Sequence, residues 1–283
     1  MTTPETQTES AIRIYDARAD TYENSWHTDY SHRLVSMIPV QPGQRVLSLC
    51  CGTGLDAFLA AESVGDAGHV VGVDVSSGML RKAAERKESD SRLGPRTSFI
   101  RHDVTDLNSL VSPEVRKGSF DFILCSNAFV LFEDPASVVR MWKDYLVPGG
   151  RAIIDIPHEL NTRSGIAVER VASRMGVKFP SNRSWVENKD TFREVLEKEG
   201  YVVEAISEIE NVTGDGQTYY TVDQADEHYD RIANSLFTAH AFQGDSKEYA
   251  RELFRDEFAK LAVDGKIAVV DSLYVYVARK PEE

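Results

Sequence analysis

From Arg45 to Pro157 the chain repeats one unit: a short apolar run, a turn, then an amphipathic stretch. RVLSLC (45–50), HVVGVDV (69–75), TSFIRHDV (97–104), DFILCSN (121–127) and RAIIDIP (151–157) read as short, largely buried strands. Helices fit between them. Leu55 to Val64 sets Leu55, Phe58 and Leu59 on one side and stops at Gly65. Met79 to Lys87 follows the candidate caps Ser76 and Ser77. Asp134-Pro135 opens a helix carrying Val138, Val139, Trp142 and Leu146, which ends in Pro148-Gly149-Gly150. Repeated βα units of this kind specify a doubly wound, Rossmann-like α/β sheet with right-handed crossovers.

The flanks are less regular. Residues 1–10 are polar and expected to be disordered. In residues 11–38, Ile12, Tyr15, Ala19, Tyr22, Trp26, Tyr30 and Leu34 recur every three or four positions. That spacing predicts one amphipathic helix or a broken pair, an N-terminal helical lid with an aromatic stripe. Thr191 and Glu194 form a capping-box pattern for a helix with Phe192, Val195 and Leu196, ended by Gly200. YVVEAISEIE (201–210) and SLYVYVARK (272–280) predict a sixth and a seventh strand. Residues 211–266 exceed any ordinary connection and predict a helical cap insertion. The core is then 39–210 plus 267–283.

With 45 acidic and 32 basic residues the formal charge is −13, which repels phosphate backbones. Arg81, Lys82, Arg86 and Lys87 alternate with Glu85 and Glu88, the pattern of a solvated helix face, so no nucleic-acid partner is expected. No apolar run is long enough to span a bilayer and the N-terminus lacks a secretory pattern. Cys50, Cys51 and Cys125 have no metal-ligand spacing, so no metal is expected, and a reducing, cytoplasmic setting fits them best. The oligomeric state is left open.

In such a sheet, ligands bind beyond the C-terminal ends of the strands. Gly52 and Gly54, in VLSLCCGTGLD (46–56), follow the first strand and let backbone N–H groups approach a ligand. Asp74, twenty residues after Gly54, ends the second strand and can accept both hydroxyls of a ribose. Asp103 ends the third and can accept from an adenine amino group. Each also has a plain structural reading as a turn residue or helix cap. Together they point to a nucleoside, and Gly52-Thr53-Gly54-Leu55-Asp56-Ala57 also satisfies the G-x-G-x-x-A pattern of dinucleotide binders.

The later landmarks favour another family. VLSLCCGTGLD, VVGVDVSSGML, FIRHDVTDL, FDFILCSNAFVLFEDP and YLVPGGRAIIDIP, with YDARADTYE (15–23), resemble class I S-adenosylmethionine-dependent methyltransferases. The similarity is to the small-molecule branch related to the ubiquinone/menaquinone C-methyltransferases, and covers roughly residues 40–157. It implies a seven-stranded sheet whose last strand is antiparallel. It also implies a cofactor site: Cys51, Gly52, Thr53 and Gly54 under the methionine part; Asp74 on the ribose beside Val75 and Met79; Asp103 and Val104 flanking the adenine. Ser126 and Asn127 would lie beside the reactive methyl, with Tyr15 and Tyr22 closing over the cofactor.

Two positions depart from the family pattern. Ser48 stands where an acid is usual, and Cys50 where glycine is usual; cysteine fits there if φ stays negative. The three thiols are read as small packing residues, with a vicinal disulfide, a thiol nucleophile or an arsenic-binding cluster as alternatives. If the acceptor must lose a proton, His27 and His158 are the candidate bases, each with an ordinary capping or surface reading beside it. Tyr219, Tyr220, Asp223, Asp226 and Tyr229 in the insertion suggest an amine or a flat aromatic acceptor. The competing functions are an NAD-dependent oxidoreductase, a cofactor-binding regulatory protein without turnover, and a rearrangement or cyclisation catalyst.

Overall fold

All seven expected strands join one sheet. The computed structural model describes residues 5–282. Its strands are β1 Arg45–Leu49, β2 His69–Asp74, β3 Thr97–Arg101, β4 Phe120–Cys125, β5 Leu146–Pro157, β6 Val202–Glu210, β7 Thr218–Thr221, β8 Lys266–Val269 and β9 Ser272–Arg279. Its α-helices are α1 Gln7–Arg18, α2 His27–Ser36, α3 Leu55–Val64, α4 Ser77–Ser89, α5 Pro135–Lys143, α6 Arg163–Arg174, α7 Lys189–Lys198, α8 Ala225–Ala233 and α9 Ser246–Ala259. The main sheet runs β3-β2-β1-β4-β5-β9-β6. Strands β1 to β5 are parallel, and β9 is antiparallel to both of its neighbours. A dinucleotide-binding sheet continues in parallel at that edge, so the reversed β9 counts against the oxidoreductase.

Side chains alternate across each strand. Val46, Phe122, Leu124 and Ile153 pack under Tyr30 and Leu34 of α2 and Phe58 of α3. Leu47, Leu49, Ile123 and Ile154 pack on the opposite face, under Trp142 of α5 and Phe192 of α7. By the same alternation Ser48, Ser126 and Asp155 belong to the first face. The chain therefore brings its polar strand residues beneath α2 and α3.

Several boundaries move. The expected tail is helical from Gln7, because Thr6 accepts from the Glu9 amide while the Glu9 carboxylate accepts from Thr6 N–H; residues 1–4 lie outside the described residues. The N-terminal stretch is the broken pair, α1 and α2. Helix α5 stops at Lys143, and Pro148-Gly149-Gly150 lies inside β5, where the register against β4 shifts between Phe120 and Phe122. Asn188, not Thr191, caps α7, with Thr191 as the reciprocal partner at its third position. Residues 211–266 hold α8 and α9, and β7 pairs with β8, so Lys266–Val269 belongs with them. Helix α6, expected with the core, buries Ile166 and Val171 against Tyr229 of α8 and Phe254 and Phe258 of α9. Among the described residues no helix is long and apolar enough to cross a membrane.

Candidate active site

After β1 the chain turns through Cys50 (φ 53°), Cys51, Gly52 (φ 54°), Thr53 and Gly54 (φ 85°) into α3. The positive φ of Cys50 corrects the expectation of a negative one. A left-handed L-residue costs about 1–2 kcal/mol, and Cys50 meets the Cys125 thiol at the end of β4. Cys50→Gly removes that strain and is expected to raise the unfolding free energy by about 1 kcal/mol; urea denaturation measures it, and a lower value would mean that the thiol contact outweighs the strain. All three cysteines are free thiols. Burial pushes the thiols of Cys51 and Cys125 well above the ordinary range, which suits packing groups rather than nucleophiles.

The two glycines do different work. A Cβ on Gly52 would meet nothing within 4 Å, whereas one on Gly54 would lie 3.1 Å from Phe99 and 3.2 Å from Phe58. Gly52 leaves room for a ligand; Gly54 lets the turn settle onto β3 and α3.

Asp74 is buried, accepting from Gly52 N at 2.8 Å and from Ser76 N at 2.8 Å. Its carboxylate thus ties the glycine turn to the start of α4 and keeps two lone-pair positions for a ligand. Burial raises its pKa above the ordinary value, against the pull of those amides. Beside it, Val75 O accepts from Arg101 Nε, and Met79 is buried with its N–H on Ser76 Oγ. Asp103 accepts from Thr105 N (2.8 Å), Thr105 Oγ1 (2.6 Å) and Thr8 Oγ1 of α1 (2.6 Å). Burial disfavours its charge, but those hydrogen bonds outweigh burial and hold its pKa low. Val104 is buried, its carbonyl accepting from Trp142 Nε1. Helix α1 also places Asp16 at the start of α4, where it accepts from Ser76 Oγ and Gly78 N. Thus α1 sits across the two acids assigned to a nucleoside.

A narrow cavity of ≈ 20 Å³ lies under Tyr22 and His27, floored by residues 50–53 and walled by Ser31, Asp56, Ser126 and Asn127. A larger open groove, ≈ 730 Å³, lies away from the glycine turn beside α6 and residues 177–184. His27 is buried between Trp26 (3.9 Å between ring centroids) and Tyr22 (4.1 Å). Ser25 Oγ donates its single proton to Tyr22 O, so it accepts from His27 Nδ1–H and leaves a lone pair on Nε2. Burial, with Arg18 nearby, pushes the imidazole pKa down to about 4, so the ring is neutral at pH 7. His158 is not brought to this cavity: its Nδ1 accepts from Leu160 N and its ring stacks on Tyr274. Tyr15 packs edge-on to Tyr22, and burial pushes its phenol up to about 12. The Arg18 guanidinium already lies over both rings, 5.6 and 5.4 Å from their centroids.

Two further acids of this region, Asp155 buried and Asp56 half-buried, have no role assigned from the sequence alone. Asp155 on β5 accepts from Tyr30 Oη (2.6 Å) and Asn127 N (2.8 Å), and burial pushes its pKa up to about 7. Asp56, the second residue of α3, has Oδ1 buried without a hydrogen-bond partner, as does Thr53 Oγ1. An acid inside the apolar run IIDIP was the available signal for Asp155. In the insertion, by contrast, Asp226 pairs with Arg251 and Arg255, Tyr229 Oη donates to Lys247 O, and Tyr219 and Asp223 are exposed. The acids expected to attract an amine acceptor are spent on cap structure or on solvent.

Residues 46–150 match the family described as methyltransferase domain. Aklanonic acid methyltransferase DauC of Streptomyces sp. (strain C5) is 31% identical over 148 residues, 51% of this chain and 64% of that one. The 2-phytyl-1,4-naphtoquinone methyltransferase of Synechococcus elongatus is 33% identical over 142 residues, 50% of this chain and 58% of that one. In all, the chain spans 25% to 64% of the length of the first three curated relatives. The YcgJ protein of Bacillus subtilis superposes with a TM-score of 0.57 at 16% identity, covering 91% of this chain and 99% of that one, a likeness of fold.

Proposed function

We propose that this chain, whose residues 46–150 match the methyltransferase-domain family, transfers a methyl group from S-adenosylmethionine to a small, flat, aromatic or quinone-type acceptor. The observation that carries this reading is the row of polar groups at three successive strand ends: Gly52 with its open Cβ direction, Asp74, and Asp103. The fit is chemical as well as positional. Thr53 Oγ1 and Asp56 Oδ1 are buried and unsatisfied beside the glycine turn, where nearly all buried polar groups find partners.

S-adenosylmethionine supplies an electrophilic methyl group on a sulfonium. The protein's part is to bind, align and exclude water, and alignment of this kind is worth effective molarities of about 10⁵–10⁸ M. A cavity of ≈ 20 Å³ holds about one water, so a nucleoside would need the segment over it to open, and the Thr8–Asp103 hydrogen bond is a contact such an opening would break. Tyr22, His27 and Trp26 then form an aromatic wall toward the acceptor. His27 offers the Nε2 lone pair as proton acceptor for an acidic acceptor group; its low pKa restricts it to acceptors that ionise readily. The naphtoquinone acceptor in one relative's name agrees with such a wall.

Calorimetric titration with S-adenosylhomocysteine, followed by radiolabelled methyl transfer to a panel of phenols, hydroquinones, aromatic acids and amines, tests the proposal. Micromolar binding and turnover on the flat aromatic members are expected. Absence of nucleoside binding would end the methyltransferase reading, and turnover confined to amines would end the acceptor assignment.

A further inference from the structure

The missing acid at Ser48 has a counterpart in space. Ser48 is buried on the sheet face that α3 covers. Asp56 is the second residue of α3, eight positions later, and its carboxylate forms the wall of the cavity against Ser31 and Ser126. One of its oxygens, Oδ1, is buried with no hydrogen-bond partner. Among the described residues Asp56 makes no ion pair, and no lysine or arginine lines the cavity. His27 is neutral, and Arg18 is spread over Tyr15 and Tyr22. A carboxylate buried without a cation is costly, and burial holds the Asp56 pKa above the ordinary value, with Ser31 and Ser126 only partly offsetting it. Asp56 is the only acid lining the cavity, and no lysine or arginine lines it, so the space in front of Asp56 favours a positively charged group.

Resting on the S-adenosylmethionine reading, we infer that Asp56 is the counter-ion for the cofactor's α-ammonium group, the acid having moved from the end of β1 to the first turn of α3. Gly52 and Asp56 line the same cavity, so Asp56 would be the acid available to an amino-acid tail held over the glycine turn. The sulfonium is the competing positive group, and three ligands separate the two. S-adenosylmethionine carries both ammonium and sulfonium, S-adenosylhomocysteine only the ammonium, and methylthioadenosine neither.

The test is calorimetric titration of wild type and Asp56→Asn with these three ligands, with thermal melts of both unliganded proteins. Loss of a charge-assisted contact predicts that Asp56→Asn weakens S-adenosylmethionine and S-adenosylhomocysteine about equally, by about ten- to hundredfold, and leaves methylthioadenosine unchanged. Unaltered methylthioadenosine binding also shows that the variant is folded. The unliganded variant should melt at or above the wild-type temperature, because a buried unpaired charge has been removed. A loss confined to S-adenosylmethionine overturns the inference in favour of the sulfonium. Equal loss for all three ligands, or for none, overturns it outright. A wild type that binds none of the three overturns the cofactor reading itself.

Discussion

Asp74→Ala is expected to abolish tight binding of every adenosine ligand while loosening the turn that forms the site. Both effects come from one carboxylate. In the folded chain it accepts from Gly52 N and Ser76 N, each at 2.8 Å. Alanine leaves both amides without their acceptor, which costs about 1–3 kcal/mol of stability, partly recovered because the carboxylate is itself held at a desolvation cost. Toward the ligand, two charge-assisted contacts to ribose hydroxyls disappear, worth on the order of 3–5 kcal/mol together, or a few hundred- to a few thousandfold in affinity. Since the ribose is common to them, S-adenosylmethionine, S-adenosylhomocysteine and methylthioadenosine should weaken in parallel. Asp56→Asn should instead spare the ligand that lacks an amino acid. Asp74→Asn keeps one acceptor and the side-chain shape, so it should fall between wild type and alanine in both stability and affinity. Unchanged affinity in Asp74→Ala would mean that the ribose lies elsewhere and that the carboxylate serves the turn alone.

What was legible in the sequence was whatever local chemistry fixes. Buried parallel strands betray themselves as continuous apolar runs, so all seven strands of the main sheet were placed within a few residues. The strand-end acids were visible because a carboxylate closing an apolar run is conspicuous. The misplaced features are those decided by tertiary context. The φ of Cys50 is set by the turn that Asp74 and Gly52 close. The capping box of Thr6 and Glu9 starts α1 inside a segment whose polarity alone suggests disorder. The acids of the insertion were read as ligand-facing, yet arginines of α9 take up Asp226, and no periodicity announces which partner an exposed acid will choose. Asp56 and Asp155 had no assigned role because their meaning depends on a shared neighbour, Ser126, contributed by a third element.

Asp155 carries the second large effect, on stability against pH. It is buried on β5 beneath Tyr30, with Asp56 and Ser126 beside it, and its pKa in the folded chain is pushed up to about 7. An unfolded aspartate titrates near 3.9. Between those values the native chain keeps a proton that the unfolded chain has released, so unfolding frees a proton and stability falls as pH rises. Well below pH 4 both states are protonated and no penalty exists; above the folded pKa the penalty is complete, on the order of 4 kcal/mol. In Asp155→Asn the side chain keeps an acceptor for Asn127 N, and the Tyr30 hydroxyl can turn to accept from the new amide. The stability advantage of that variant over wild type should widen by about 2–3 kcal/mol between pH 5 and pH 8 and level off above the folded pKa. Urea denaturation of both proteins at pH 5, 6, 7 and 8 measures the difference, in which the titration of more distant carboxylates cancels. Parallel profiles would show that Asp155 stays ionised throughout. The consequence reaches the site, because the Asp155 carboxylate holds the amide of Asn127, which stands at φ 54° on the cavity wall. The residue whose charge lowers stability above neutrality thus also supplies the oxygen that holds this turn beside the glycine loop.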